Sequence, residues 1–368
     1  MSTTKKRIAA AVDLGNGHIK IRSSKRRSHF PTAMLAKEKT GRAVLGSFGG
    51  NKGARLFSTA INDNHPMYFG PSLMETGYEK NWIPSIGFGM SRYASLEFKA
   101  MFEYTLALIA EDYAEEMLEI DLVTGLPTLD EQNSEIIDYL ADFLKRSHTV
   151  KILDEHTNEA TDVSYIVKKL IIVPQYYGTL WNLAVDDDFN ILEPRIFDGT
   201  VGVSDFGRGT VLVDISHQLQ LGAEGSPWQD DRGVDYFMRG VRLTSPLPDS
   251  VIERIYLEGN EEAGYHYRPV NPMQAKNVTE DFMAKREEAT DYMKGIYRRQ
   301  FPKPEELSVI YQTGGGANFL LEKPLKALLD GKVELVFVKD SQMSNVDGYY
   351  KIAMRSGFGE YEGDPKND

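Results

Sequence analysis

The chain opens on an unbroken apolar run, Ile8-Ala9-Ala10-Ala11-Val12, which stops at Asp13-Leu14-Gly15-Asn16-Gly17. Such a run followed by a glycine-rich stop predicts a buried strand and a tight turn. The alternation His18-Ile19-Lys20-Ile21 restarts a strand, so the turn closes a hairpin. Residues 40–90, rich in Gly, Asn, Ser and Pro with scattered aromatics, read as a loop-heavy region or small subdomain. From Ser95 to about Met117 apolar residues recur at helical spacing, among them Leu96, Phe98, Met101, Phe102, Leu108 and Ile109. Residues 120–127 predict a strand and 130–145 a second helix. Strands are expected near 149–153, 164–167 and 170–173, and a short helix over 176–185, just after Pro174-Gln175.

The acidic stretch 186–190 breaks the apolar pattern and is the candidate domain boundary. Beyond it the opening theme returns. Ser204-Asp205-Phe206-Gly207-Arg208-Gly209 lies against Val12-Asp13-Leu14-Gly15-Asn16-Gly17, with the aspartate and both glycines coinciding. This suggests two copies of one hairpin-led domain. Asp-x-Gly turns are also common in ordinary hairpins, so the pair alone leaves both origins open. Helical patterns follow at about 232–242, 248–258 and 277–300. Val309-Ile310-Tyr311-Gln312-Thr313 runs into Gly314-Gly315-Gly316, with a helix expected over 317–329, a strand over 333–338 and a final helix over 345–354. The acidic tail 360–368 is expected to be disordered.

Length and charge narrow the chemistry. The 368 residues suggest about two domains. A net charge of −12 disfavours direct binding of phosphate backbones. The absence of cysteine removes disulfides, thiolate metal sites, iron–sulfur clusters and thiol nucleophiles. No apolar run approaches the ~18 residues of a membrane helix, and the start does not resemble a secretory signal, so a soluble cytoplasmic protein is expected. The seven histidines lack metal-ligand spacing and read as surface or packing residues. Lys5-Lys6-Arg7 and Lys25-Arg26-Arg27 read as solvated charges. Tyr78, Trp82, Phe88 and Tyr93 read as packing or a self-association surface.

The glycine turns carry the candidate chemistry. Their glycines let backbone N–H groups approach an anion, and each aspartate can hold a hydrated Mg²⁺. Two such hairpins facing each other would clamp the phosphates of one nucleotide. Lys20 could neutralise β- or γ-phosphate charge, and the Thr210 hydroxyl could meet a phosphate; a solvated lysine and a strand-forming threonine are the plain alternatives. The 314–316 turn, at a strand end opening a helix, allows close backbone contact with a ligand. It is neither a Walker A loop nor a dinucleotide fingerprint. Gln175, a neutral amide at a strand end, can orient a water but cannot act as a strong base, which implies slow hydrolysis; a simple turn is the plain alternative. Ser204 lacks the nucleophile-elbow context.

Taken in order, the Asp13 turn, Pro174-Gln175, the Asp205 turn with Thr210 and the 314–316 turn resemble the phosphate-1, connect-1, phosphate-2 and adenosine motifs of the actin, sugar kinase and heat-shock ATPase superfamily. The stretches 12–20, 123–127 and 345–351 look most like the bacterial plasmid-segregation actins, the ParM/StbA-like group. The resemblance implies an α/β actin-like fold: two RNase-H-like domains around a cleft for ATP (or GTP) and Mg²⁺. The first would be 1–185 with a C-terminal return of about 339–368, the second 186–338. Asp13 and Asp205 match the acids that hold the metal through water. Gly15, Asn16, Gly17 and Lys20 match phosphate-1, and Gly207, Gly209 and Thr210 match phosphate-2. Gln175 matches the water-positioning residue, and Gly314, Gly315 and Gly316 the loop beside the adenosine. Arg208 stands where a small residue is usual; it either adds a phosphate contact or points away. The implied function is a nucleotidase that polymerises into filaments and segregates plasmid DNA through an adaptor protein bound at a centromere-like site, with no direct DNA or membrane contact. A small-molecule kinase of the same superfamily is the alternative, though no substrate-base motif stands out. A chaperone-like ATPase would be expected to carry a substrate domain after the last motif. A non-catalytic structural protein sits poorly with Asp13, Asp205, Lys20 and Gln175 all present.

Overall fold

The strand Arg7–Leu14 is the spine of the first sheet. It pairs antiparallel with His18–Ser23, which pairs antiparallel with Arg27–Pro31. On its other side it runs parallel to Leu118–Leu126, which runs parallel to Glu159–Pro174. The computed structural model describes residues 6–359, apart from 41–54, 76–78, 156, 221–226, 245, 246, 248, 261, 269–272 and 274. Expectations for Lys5, Tyr78, the 41–54 stretch and the 360–368 tail therefore lie outside the described residues. The chain divides into two units, one of Met1–Pro194 with Met343–Asp368, the other of Arg195–Gln342.

In the first unit the spine is apolar without alternation because both faces are covered. Ala10, Val12 and Leu14 pack in one core with residues of the helix Leu96–Glu111; Ala9 and Ala11 pack in another with the helix Ser344–Arg355. Ser95 caps the first of these helices, its Oγ accepting from Phe98 N at 3.1 Å. The helix predicted over 130–145 is interrupted. Asn133 Oδ1 accepts from Glu135 N at 3.0 Å and starts Ser134–Leu144 anew, after a short turn Thr128–Glu131.

The strands expected over 164–167 and 170–173 are one strand, Glu159–Pro174, with a register shift between Val167 and Lys169. A buried carboxylate accounts for the irregularity. Asp121 Oδ1 accepts from Lys169 N at 3.2 Å and from Arg7 Nε at 2.9 Å. The bulge adds a backbone donor to an acid that also accepts from Arg7 and, through Oδ2, from Gly359 N at 3.2 Å. The described part of 40–90 contributes short strands. Arg55–Ser58 pairs with Ser147–Asp154 and Met67–Tyr68 with Arg55–Ser58, so this segment extends the sheet.

Two readings of the charged residues change. Lys25 and Lys6 lie 4.7 and 5.0 Å from the Tyr113 ring centroid. Arg26 holds Asp112, and Arg27 Nη2 donates to Asp347 Oδ2 at 2.7 Å. These cations tie the hairpin to neighbouring helices and are not simply solvated. His148 is a buried packing residue: Nδ1 faces Glu103 Oε1 at 2.6 Å, and the ring stacks on Tyr165 at 5.1 Å.

The helices Gln175–Ala184 and Ser344–Arg355 touch backbone to backbone. A Cβ at Gly348 would overlap the Gly178 carbonyl. Lys351 Nζ donates to Asn182 O at 3.1 Å and Val185 O at 2.7 Å, satisfying carbonyls at the end of the first helix. The acidic stretch 186–190 forms a turn in this unit, with Asp186 Oδ1 accepting from Asp188 N and Asn190 N.

The second unit repeats the sheet. Thr200–Phe206 pairs antiparallel with Val211–His217, which pairs antiparallel with Trp228–Asp230; parallel neighbours on the other side are Val309–Thr313 and then Leu335–Phe337. In both units the first strand of the hairpin is central, two antiparallel strands lie to one side and parallel strands to the other. This shared order settles the question left open by the two Asp-x-Gly turns: they head two copies of one topology. Val234–Thr244, Asp249–Glu258, Thr279–Gln300 and Glu322–Leu329 pack with Phe206, Val211, Val213 and Ile310. The buried Gln312 locks the parallel pair, its Nε2 donating to Ser204 O at 3.0 Å and its Oε1 accepting from Tyr297 OH at 2.6 Å.

Candidate functional site

Each unit gathers its candidate residues at the carboxyl ends of its parallel strands, where open α/β sheets bind ligands. In the first unit Asp13 ends the spine and is 2% exposed. Lys20 is its cross-strand partner, and Nζ donates to Asp13 Oδ2 at 3.0 Å. An ammonium has three donors, so this bond leaves two for another acceptor. A Cβ at Gly15 would stand 2.9 Å from Lys20 Nζ and 3.1 Å from His18 O, so a side chain there would crowd the ammonium of the pair.

Residues remote in sequence pin this turn. Thr32 donates through Oγ1 to Gly15 O at 2.7 Å and through its N–H to Gly17 O at 3.0 Å. Asn16 Oδ1 accepts from Gly87 N at 2.8 Å. The buried Arg92 donates to Leu14 O at 2.8 Å. Desolvation lowers the pKa of its guanidinium, and the nearby side chains of Tyr93, Asp13 and Asp130 oppose that shift. Asp13 thus lies in the field of two cations. Gln175, half-buried, is the first residue of its helix, and its carbonyl accepts from Tyr349 OH at 3.2 Å. Gly125 makes room for that tyrosine, since a Cβ there would overlap its hydroxyl.

In the second unit Asp205, 5% exposed, approaches the end of Thr200–Phe206. Gly207 N donates to Thr210 O at 2.8 Å and closes the turn containing Arg208 and Gly209. Gly314 has φ +95° and lies so close to Asp205 that a Cβ would overlap its Oδ1. Gly316 N donates to Phe206 O at 2.8 Å. The two glycine turns of this unit are therefore built against each other around one buried acid.

Arg208 turns away from its own loop: Nε donates to Asp235 Oδ1 at 3.1 Å. The loop carbonyls serve the same helix start, Gly207 O accepting from Val234 N at 3.1 Å and Arg208 O from Asp235 N at 2.9 Å. Gly233 allows this approach, because a Cβ there would lie 2.5 Å from Arg208 O and Thr210 N. The 314–316 turn does not open a helix as predicted. It leads into a 3₁₀ turn, Ala317–Phe319, and the α-helix begins only at Glu322. Arg286 holds that turn, donating to Phe319 O at 2.9 Å and to Asn318 O and Leu320 O at 3.3 Å. No helix dipole is therefore aimed from 317. What remains is the side-chain-free backbone itself.

Thr32, Gly87, Arg92, Gly233 and Arg286 carried no local sequence signal. Among the described residues there is no group of three or more His, Asp or Glu able to ligate a metal directly. No described helix is long and apolar enough to cross a membrane.

Residues 11–178 match the family model described as the N-terminal domain of actin-like proteins. Solved structures extend the likeness over nearly the whole chain. The apo psk41 ParM protein is 22% identical with a TM-score of 0.69, covering 95% of this chain and 98% of that one. The chain has an actin-like fold. A Bacillus thuringiensis ParM solved with AMPPNP is 16% identical at TM-score 0.65, covering 96% of this actin-like chain and 99% of its own. The Alp12 filament structure is 15% identical at TM-score 0.61, covering 96% and 100%. A comparison with curated protein sequences finds no match. The α/β class and the actin-like resemblance read from the motifs are borne out.

Proposed function

We propose that this actin-like protein binds ATP or GTP with Mg²⁺ through its two Asp-x-Gly-x-Gly turns, hydrolyses it slowly and polymerises into cytoplasmic filaments. The observation that carries the reading is the duplicated acid. Asp13 and Asp205 hold equivalent places in two copies of one sheet, each buried and each beside glycines where a Cβ would crowd its neighbours. One carboxylate per turn, beside backbone donors, fits a cation that keeps most of its water. Bound Mg²⁺ would supply charge neutralisation for the phosphates.

The chain's own groups have separable tasks in this reading. Asp13 and Asp205 orient metal-bound water. Lys20, steadied by Asp13, offers its remaining donors to phosphate oxygens. The backbone N–H groups of Gly15, Asn16 and Gly17, and of Gly209 and Thr210, cradle the anion, while Gly207 N keeps the second turn closed on Thr210 O. Gln175 holds the attacking water in line, on a backbone fixed by Pro174 and Tyr349. One structural neighbour was solved with AMPPNP and another as a filament, which supports nucleotide binding and self-assembly. The net charge of −12 fits a filament that reaches plasmid DNA through a basic adaptor protein and not by direct contact.

Light scattering and pelleting at tens of micromolar protein, with ATP, GTP and non-hydrolysable analogues, followed by negative-stain microscopy, test the reading. Nucleotide-dependent filaments are expected. A protein that stays monomeric under all these conditions overturns it.

A further inference from the structure

Beside the 314–316 turn stands a side chain with no task in the proposed phosphate and metal chemistry. Leu335–Phe337 runs parallel to Val309–Thr313, so the segment leaving its carboxyl end comes up next to that turn. The chain bends at Asp340, with φ +49°. The buried Ser341 then donates Oγ to Gly314 O at 2.9 Å, which fixes the segment in place. Gln342 follows. Its amide lies directly over Gly315, where a Cβ would overlap Oε1. The side chain is half-buried and has no hydrogen-bond partner among the described residues.

A half-buried amide held against a bare backbone keeps its full capacity of one carbonyl acceptor and two N–H donors. A phosphate, with acceptors only and a negative charge, gains little from a neutral amide that also presents an acceptor. A flat heterocycle with a donor beside an acceptor suits both ends of it. Adenine presents that pair at N6 and N7, the edge that asparagine and glutamine meet with two hydrogen bonds. The same edge of guanine carries two acceptors, O6 and N7, which one amide satisfies only in part.

We propose that Gln342 reads the base of the bound nucleotide and makes this protein prefer adenine over guanine. The proposal rests on the nucleotide-binding reading and on the 314–316 turn lying beside the nucleoside. Gln342 Oε1 accepts from the exocyclic amine, Nε2 donates to the ring nitrogen, and Gly315 is bare so that the amide can lie flat on the turn.

Calorimetric titration of the wild type, Gln342→Met and Gln342→Ala with ADP, GDP and inorganic pyrophosphate, all with Mg²⁺, tests it. The wild type is expected to favour ADP over GDP by on the order of 10-fold, the scale of one bidentate base contact. Gln342→Met, which keeps the length without the polar atoms, is expected to lose most of that preference. Its affinity for GDP and pyrophosphate should stay within about 3-fold of wild type, since those contacts do not use the full amide. Retention of the wild-type ADP/GDP ratio in both variants overturns the proposal. So does an equal loss for pyrophosphate and ADP, which would mean that the substitution merely disturbs the turn. A wild type that binds none of the three ligands removes the nucleotide-binding reading itself, a distinct result.

Discussion

Arg208 occupies the place in the second glycine turn that Asn16 holds in the first, and its Nε donates to Asp235 Oδ1. The two side chains are 29% and 25% exposed, so their pairing is worth at most about 1 kcal/mol. Arg208→Ala should lower stability by no more than that and leave nucleotide affinity within about 2-fold by calorimetry. A loss above 10-fold would instead put the guanidinium on a phosphate. Gln175 has the opposite profile. Gln175→Ala should bind nucleotide and polymerise, yet release phosphate on the order of 10²-fold more slowly, because only the orientation of water is lost. Phosphate release and light scattering followed in one sample check this; release at the wild-type rate would make Gln175 a turn residue only. Gly314 answers for the geometry of Asp205. Gly314→Ala must force a left-handed backbone and collide with the acid, at a cost of about 1–3 kcal/mol for the backbone alone. A lowered unfolding midpoint and weakened Mg-nucleotide binding are expected together, and an unchanged midpoint would count against the tight packing. The sequence disclosed the acids and glycines because their chemistry is local to each turn. It was silent on Thr32, Gly233, Arg286 and Gln342, because their significance comes only from chain segments that folding brings alongside.

Elements were legible where one physical signal dominated. The continuous apolar spine and the capped start of the Leu96–Glu111 helix fall where periodicity put them, though that helix ends at Glu111, short of the expected Met117. Departures occurred where a single polar contact overrode the pattern. Asn133 restarted a helix, and Asp121 drew a bulge into what looked like two strands. The packing of Gln175–Ala184 on Ser344–Arg355 gave no periodic warning, since it depends on two glycines far apart in the chain. Gly348→Ala would drive a methyl group into the Gly178 carbonyl. The helices must then separate, a cost of about 3 kcal/mol by analogy with overpacked cores. Urea unfolding should show a clearly lower midpoint; an unchanged midpoint would mean that the two helices are not held in register by this contact.

For the whole molecule, charge sets the terms of assembly. Copies carrying −12 each repel one another, and the repulsion reaches about 30 Å at 0.01 M ionic strength but about 10 Å at 0.1 M. If the protein polymerises as proposed, raising monovalent salt over that range at constant Mg²⁺ should lower the critical concentration, measured by pelleting. A critical concentration that rises with salt would point to filament contacts built on opposite charges.

The division of the chain also bears on how the protein is made. The second unit is one continuous stretch, Arg195–Gln342, set between the two parts of the first. The helix Ser344–Arg355, whose residues share a core with Ala9, Ala11, Val123 and Val173, follows that stretch. A ribosome adding ~5–20 residues per second needs on the order of 10 s to cross it. Throughout that interval the nascent first unit holds a finished hairpin and a bare apolar sheet face, while the second unit has every strand it needs as soon as Phe337 is added. The unit begun first is closed last, so a chaperone that shields emerging chains should engage the Ala9–Ala11 face, and a product stopped after Gln342 should contain one complete unit and one that cannot close.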